Sequence, residues 1–298
     1  MIKKLEEFIP AALKGGRKRL VVAWGQDAHT IESVAEAMEI GLVEATLVGQ
    51  RSQIENVCRE QNIDPGRFVI IEAQSDVQAV DMAVGMVAAG KGDILMKGLC
   101  STDKYMRGIL NKEYALVPPK GVLCHLLVLQ LPGYPKLLPV SDVAVLTYPD
   151  LQQKCAIVRH LIAVSRKLGV DRPKVALIAP TEQMSAGLPA CVDAAILSKM
   201  SDRGEFGDAI AEGPLAIDVA LYPEAVAIKK LRGSAVAGNA DALCMSNIDA
   251  GNSFFKCTTS IAGGLHAGMV MGAKVPCVLT SRSDPRETKL YSIALACL

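Results

Sequence analysis

This chain of 298 residues lacks a long hydrophobic run, an excess of one charge and any paired-cysteine motif. Each absence excludes something. No apolar run is long enough to cross a bilayer as a helix. Lysine and arginine together number 32, against 31 acidic residues. The basic face that nucleic acid or an anionic membrane surface requires is therefore not expected. The opening MIKKLEEFIP carries acidic residues and no long apolar core, unlike a signal peptide. Nine cysteines stand at irregular spacing with no CxxC. An odd, scattered set reads as small buried hydrophobes in a reducing cytoplasm, not as a disulfide frame or a zinc site. Neither GxxxxGK[ST] nor GxGxxG occurs, so no P-loop and no ready dinucleotide site is expected.

What is present is alternation. Half of the residues are hydrophobic, enough for one large or two medium domains. Short apolar runs at 20–24, 43–48, 68–71 and 94–96 read as strands. Helical patterns fall between them, punctuated by Gly25, Gly41, Gly49 and Gly90. Such a pattern predicts a mostly parallel sheet with helices on its faces. Residues 122–131 and 137–145 flank Pro132-Gly133-Tyr134-Pro135 and predict strand, turn, strand, an antiparallel extension of the sheet. Thr147-Tyr148-Pro149-Asp150 reads as a linker, with Asp150 capping a helix to Leu168, and a second alternation of strands and helices follows. The expected domains are 1–147 and 148–282.

Polar mouths follow three of the strands. The fourth strand opens into Lys97-Gly98-Leu99-Cys100-Ser101-Thr102, with Arg107 one helical turn on. Ser101 or Thr102 also serves as a helix cap there. A later strand feeds Ser246-Asn247-Ile248-Asp249-Ala250-Gly251-Asn252. The run Val275 to Leu279 ends in Thr280-Ser281-Arg282-Ser283-Asp284-Pro285 before a final helix. In open α/β folds ligands bind at the carboxyl ends of strands, and helix N-termini favour anions. Ser283 or Asp284 reads equally as the cap of that helix, with Pro285 at its first position. The glycine-rich 262–268 segment follows no clear strand, and its glycines, Gly268 included, allow backbone amides to approach a phosphate or another chain.

The runs MKGLCSTDKYMRGIL, EGPLAIDVAL, GNADALCMSNIDAGNSFFK and KVPCVLTSRSDPRETKLYSIALA resemble the phosphate acetyltransferase/phosphate butyryltransferase family over nearly the whole chain, most like its butyryl branch. The resemblance implies reversible transfer of a short acyl group, butyryl in that branch, between CoA and phosphate. It implies two α/β/α domains, similar to isocitrate and isopropylmalate dehydrogenases, with the site in the cleft and the C-terminal helix, 283–298, completing the first domain. It implies a cytoplasmic homodimer or higher homo-oligomer, acyl-CoA and phosphate as the partners, and no cofactor or metal. Arg282 is the expected phosphate clamp, and Ser281 the expected hydrogen-bond donor to the reacting group. Lys97, Ser101, Arg107, Asn247, Asn252, Gly268 and Asp284 are the expected substrate contacts. The acetyl branch carries an aspartate where this chain has Thr288. Glu287 is therefore the first choice of base, Asp284 the second and His266 the histidine competitor. Two other readings stand beside the transferase. One is a non-catalytic or differently specific acyl-CoA-binding relative, the other a metal- and NAD(P)-dependent decarboxylating dehydrogenase of the same fold.

Overall fold

The computed structural model describes every residue from Met1 to Leu298. Its eleven strands are β1 (Lys18–Ala23), β2 (Val43–Gly49), β3 (Val69–Glu72), β4 (Ile94–Lys97), β5 (Cys124–Gln130), β6 (Leu138–Ser141), β7 (Lys174–Ile178), β8 (Ile210–Leu215), β9 (Ala242–Cys244), β10 (Leu265–Met271) and β11 (Cys277–Val278). The chain divides into two compact units. One joins Leu5–Leu123 to His266–Leu298, and the other joins Met1–Lys4 to Cys124–Leu265.

In the first unit the strand order is β3-β2-β1-β4-β11-β10. All neighbours are parallel except β10 and β11. All four residues of β4 are buried, as a central parallel strand covered on both faces requires. Local chemistry sets the helix ends. The Asp27 carboxylate accepts the Thr30 N–H at 3.0 Å and starts the helix Ala28–Ile40. Gly41 ends it at φ 93°, where a side chain would strain the backbone. The last helix, Arg286–Cys297, is buried from Thr288 onward and packs against Ala28–Ile40.

In the second unit the order is β5-β6-β9-β7-β8, antiparallel only between β5 and β6. Leu127, Val140, Ala176, Leu215 and Leu243 meet in its core. The helix Leu151–Lys167 begins with a capping box, in which Asp150 accepts the Gln153 N–H and the Gln153 side chain accepts the Asp150 N–H. No helix is long and apolar enough to cross a membrane.

Four expectations need correction. The unit boundaries fall at 123/124 and 265/266, not at 147/148 and 282/283. The β5–β6 hairpin joins the second sheet because β6 pairs with β9, and β11 joins the first because it pairs with β4. The linker-like 147–150 stretch is only the cap of a helix inside the second unit. The glycine-rich 262–268 stretch is loop only as far as Gly264, since from Leu265 it is strand β10, with His266 and Ala267 buried. Asp284 does not cap the last helix, whose N-cap is Pro285, without a side-chain hydrogen bond.

Candidate active site

In the first unit, β1, β4 and β11 end side by side. Trp24 turns the chain after β1 at φ 59°, and the Gly98 N–H donates to the Ala23 carbonyl at 2.9 Å. A Cβ on Gly98 would stand 2.3 Å from the Trp24 carbonyl oxygen, so no other residue fits after Lys97. The loop then offers Ser101, which is a cap: its Oγ accepts the Lys104 N–H at 3.3 Å. Arg107 points outward, 79% exposed, and pairs with Asp103 at 3.1 Å. Gly268 is inside β10, and its N–H is engaged by Ser292 Oγ at 2.9 Å, which removes it as a donor to substrate.

The Thr280–Pro285 turn is held from below by three buried groups. The Asp284 carboxylate accepts the Ser281 N–H at 2.7 Å and lies 3.4 Å from His266 Nε2. The Lys289 ammonium donates to the Ser281 carbonyl at 3.1 Å and to Thr280 Oγ1 at 3.2 Å. The Ser281 peptide is therefore gripped on its N–H by an anion and on its carbonyl by a cation. Burial pushes the Asp284 carboxyl up, but the hydrogen bond and charge of His266, the Ser281 N–H and the charge of Lys289 outweigh it. The carboxyl is held below its ordinary range. Above this floor, Ser281 Oγ stands 3.0 Å from Ser283 Oγ. Arg282 is exposed, and its guanidinium makes no hydrogen bond or ion pair with the protein.

Glu287, the first choice of base, is exposed on the last helix and accepts from Tyr291 Oη at 2.9 Å. It touches none of the groups under the Ser281 turn. Thr288, the next residue, is buried. Burial also pushes the Cys100 thiol up to about 11, far from a nucleophile's range. Two buried lysines in this unit, Lys97 and Lys289, lie 3% and 2% exposed. Sequence reasoning singled out Lys97 and missed Lys289. Its helix is covered on every face from Thr288 onward, so helical spacing gave no signal for Lys289.

In the second unit the strand ends line a cavity of about 970 Å³. Ile178, Ile217, Met245 and Phe254 give it apolar walls, and the partly buried Lys154–Asp193 pair, 2.6 Å apart, borders it. Asn247 lines it while its side chain caps the helix Ile248–Lys256 by accepting the Ala250 N–H at 3.0 Å. Asn252 does not line it, since its amide donates to the Val143 carbonyl at 3.0 Å. Gly251 permits that close approach, because a Cβ there would meet the Asp142 carbonyl oxygen at 2.1 Å.

Comparison with known proteins shows the family. The family model described as phosphate acetyl/butaryl transferase matches residues 75–297. A phosphate butyryltransferase of Clostridium acetobutylicum is 39% identical over 298 residues, covering 100% of this chain and 98% of that protein. A phosphate acetyltransferase of Rhizobium meliloti is 35% identical over 295 residues, covering 99% and 93%. Among solved structures, a branched-chain phosphotransacylase of Enterococcus faecalis superposes with a TM-score of 0.81 at 27% identity, covering 94% of this chain and 97% of that one. A family model spanning three quarters of the chain, with relatives above 30% identity along its full length, makes this protein a phosphate acyltransferase, a member of the phosphate acetyl/butyryl transferase family.

Proposed function

We propose that this enzyme transfers butyryl in preference to acetyl between CoA and inorganic phosphate, at the Ser281–Arg282 turn. The carrying observation is the Ser281 peptide held between Asp284 and Lys289, with Arg282 unengaged beside it. In the direction of acyl phosphate formation, a phosphate oxygen attacks the thioester carbonyl, the carbon–sulfur bond breaks and CoA leaves as the thiolate. Arg282 clamps the phosphate, and Ser281 Oγ donates to the oxyanion that develops on the carbonyl. In reverse, the CoA thiol must lose its proton. Of the three candidate bases, Glu287, Asp284 and His266, burial and contact favour the Asp284–His266 pair, in which the carboxylate fixes the imidazole. The 39% identity to a phosphate butyryltransferase along the full chain supports the butyryl preference. Eight of the nine cysteines are buried and none is paired, in keeping with work in a reducing cytoplasm. The assembly is a homodimer, which sedimentation of the purified chain tests.

Rates of phosphate-dependent CoA release with acetyl-, propionyl- and butyryl-CoA decide the acyl preference. The kcat/KM for butyryl-CoA is expected to exceed that for acetyl-CoA by roughly 10-fold or more, the scale that methylene discrimination allows. Equal values, or a preference for acetyl-CoA, refute it. Ser281→Ala is expected to lower kcat by about 10²-fold.

A further inference from the structure

Two lysines are buried in the first unit without a carboxylate in contact, and a buried charge is costly unless something compensates it. Lys97, 3% exposed, is the last residue of β4, and its ammonium donates only to the Gly98 carbonyl, at 3.2 Å. Lys289, 2% exposed, donates to Thr280 Oγ1 and the Ser281 carbonyl and forms no ion pair. An ammonium has three N–H groups, so two on Lys97 and one on Lys289 have no acceptor in the protein. The carboxylates nearest in the electrostatics of the pair are engaged elsewhere. Asp27 takes the Thr30 N–H, and Asp284 takes the Ser281 N–H and faces His266. Lys97 ends β4, β4 pairs with β11, and Lys289 bonds the Thr280–Ser281 turn that follows β11 and leads into Arg282, so the three cations gather at one end of the sheet. Burial depresses the Lys97 ammonium most; the charges of Lys289 and Arg282 lower it further, and those of Cys100 and Asp27 oppose them.

We propose that Lys97 and Lys289 are the floor of a buried site for the phosphate dianion, whose exposed rim is Arg282. The proposal rests on the transferase reading, since it assigns that reaction's phosphate. Three unengaged N–H donors, on two buried ammonium groups that no carboxylate touches, suit the acceptor oxygens of a small tetrahedral dianion. They stand where the parallel strands β4 and β11 end, the position at which open sheets bind ligands. Phosphate held there lies under the Ser281 turn, because Lys289 touches both Ser281 and Thr280.

Calorimetric titration of the native chain and of Lys97→Met and Lys289→Met with inorganic phosphate tests the site. Each variant is expected to bind phosphate at least about 10-fold more weakly, the loss typical of a charged hydrogen bond. CoA binding measured alongside is expected to change by less than about threefold, CoA being held mostly by other groups. Lys97→Met is also expected to raise the melting temperature of the phosphate-free protein, by removing a desolvated charge, and to shrink the further rise that phosphate gives. Phosphate affinity within twofold of native in Lys97→Met overturns the proposal. Should either variant fail to fold, the native protein decides: phosphate must shift the side-chain nitrogen resonances of lysine in a labelled sample, and unmoved resonances overturn the site. Weakened phosphate binding in a chain that transfers no acyl group leaves the site standing and sinks the transferase reading. Intact transfer with phosphate binding indifferent to both variants sinks the site alone.

Discussion

Asp284→Asn separates the buried carboxylate from Glu287. The native carboxylate accepts the Ser281 N–H at 2.7 Å and faces His266 Nε2 at 3.4 Å, both through the same Oδ2. Asparagine keeps the size and one acceptor oxygen. Turned toward Ser281, that oxygen makes a neutral hydrogen bond, and the anion opposite His266 is gone. Hydrogen bonds to a charged group are worth about 1.5–3 kcal/mol, and each 1.36 kcal/mol is tenfold in rate. If the loss falls on the transition state, kcat drops roughly 10- to 150-fold. Glu287→Gln, altering an exposed carboxylate bonded to Tyr291, is expected to change kcat by less than about threefold. The pH profile distinguishes chemistry from folding: the limb of kcat/KM that reports the base must shift or vanish in Asp284→Asn. Stability gives a second sign. The folded Asp284 carboxyl lies below its ordinary value. Its stabilising contribution is thus complete above the unfolded carboxylate value, near about 4, and disappears as pH falls through the lower folded value. Asp284→Asn loses that contribution at neutral pH and flattens the acid side of the melting curve. Asp284→Asn within threefold of native, together with a tenfold loss in Glu287→Gln, would refute this assignment and restore Glu287.

Gly251→Ala places a Cβ 2.1 Å from the Asp142 carbonyl oxygen and is expected to destabilise by about 1–3 kcal/mol in denaturant titration; an unchanged midpoint would contradict that close approach. Cys100→Ala is expected to keep kcat within about threefold, because a thiol pushed up to about 11 is not the nucleophile; a hundredfold loss in a folded variant means a covalent acyl-enzyme. Lys154→Met leaves Asp193 without the cation now 2.6 Å away, at a cost of about 3 kcal/mol, and the double change Lys154→Met/Asp193→Leu should recover most of it. If the double variant is no more stable than the single one, the pair is not energetically coupled.

The sequence alone determined whatever depends on neighbours along the chain. Short apolar runs marked the strands β1 to β4 and the helices between them, most clearly at the central β4, where burial on both faces of a parallel strand requires a continuous apolar stretch. Asp150 and Ser101 were readable as caps because capping is a contact between residues three apart. The family, too, was legible in motifs carried by the Ser281–Arg282 and Asn247–Asn252 stretches, since those runs are local. Tertiary structure decided what depends on pairing at long separation. Hydrogen bonds from β6 to β9 and from β11 to β4 moved both unit boundaries by more than fifteen residues. The same packing turned Asp284 from a presumed helix cap into the acceptor of Ser281, and buried both Lys289 and Lys97, which stand 192 positions apart in the chain. Spacing along the chain carries no information about which face of the last helix a side chain meets once every face is covered, and there the fold alone chose the groups around Ser281.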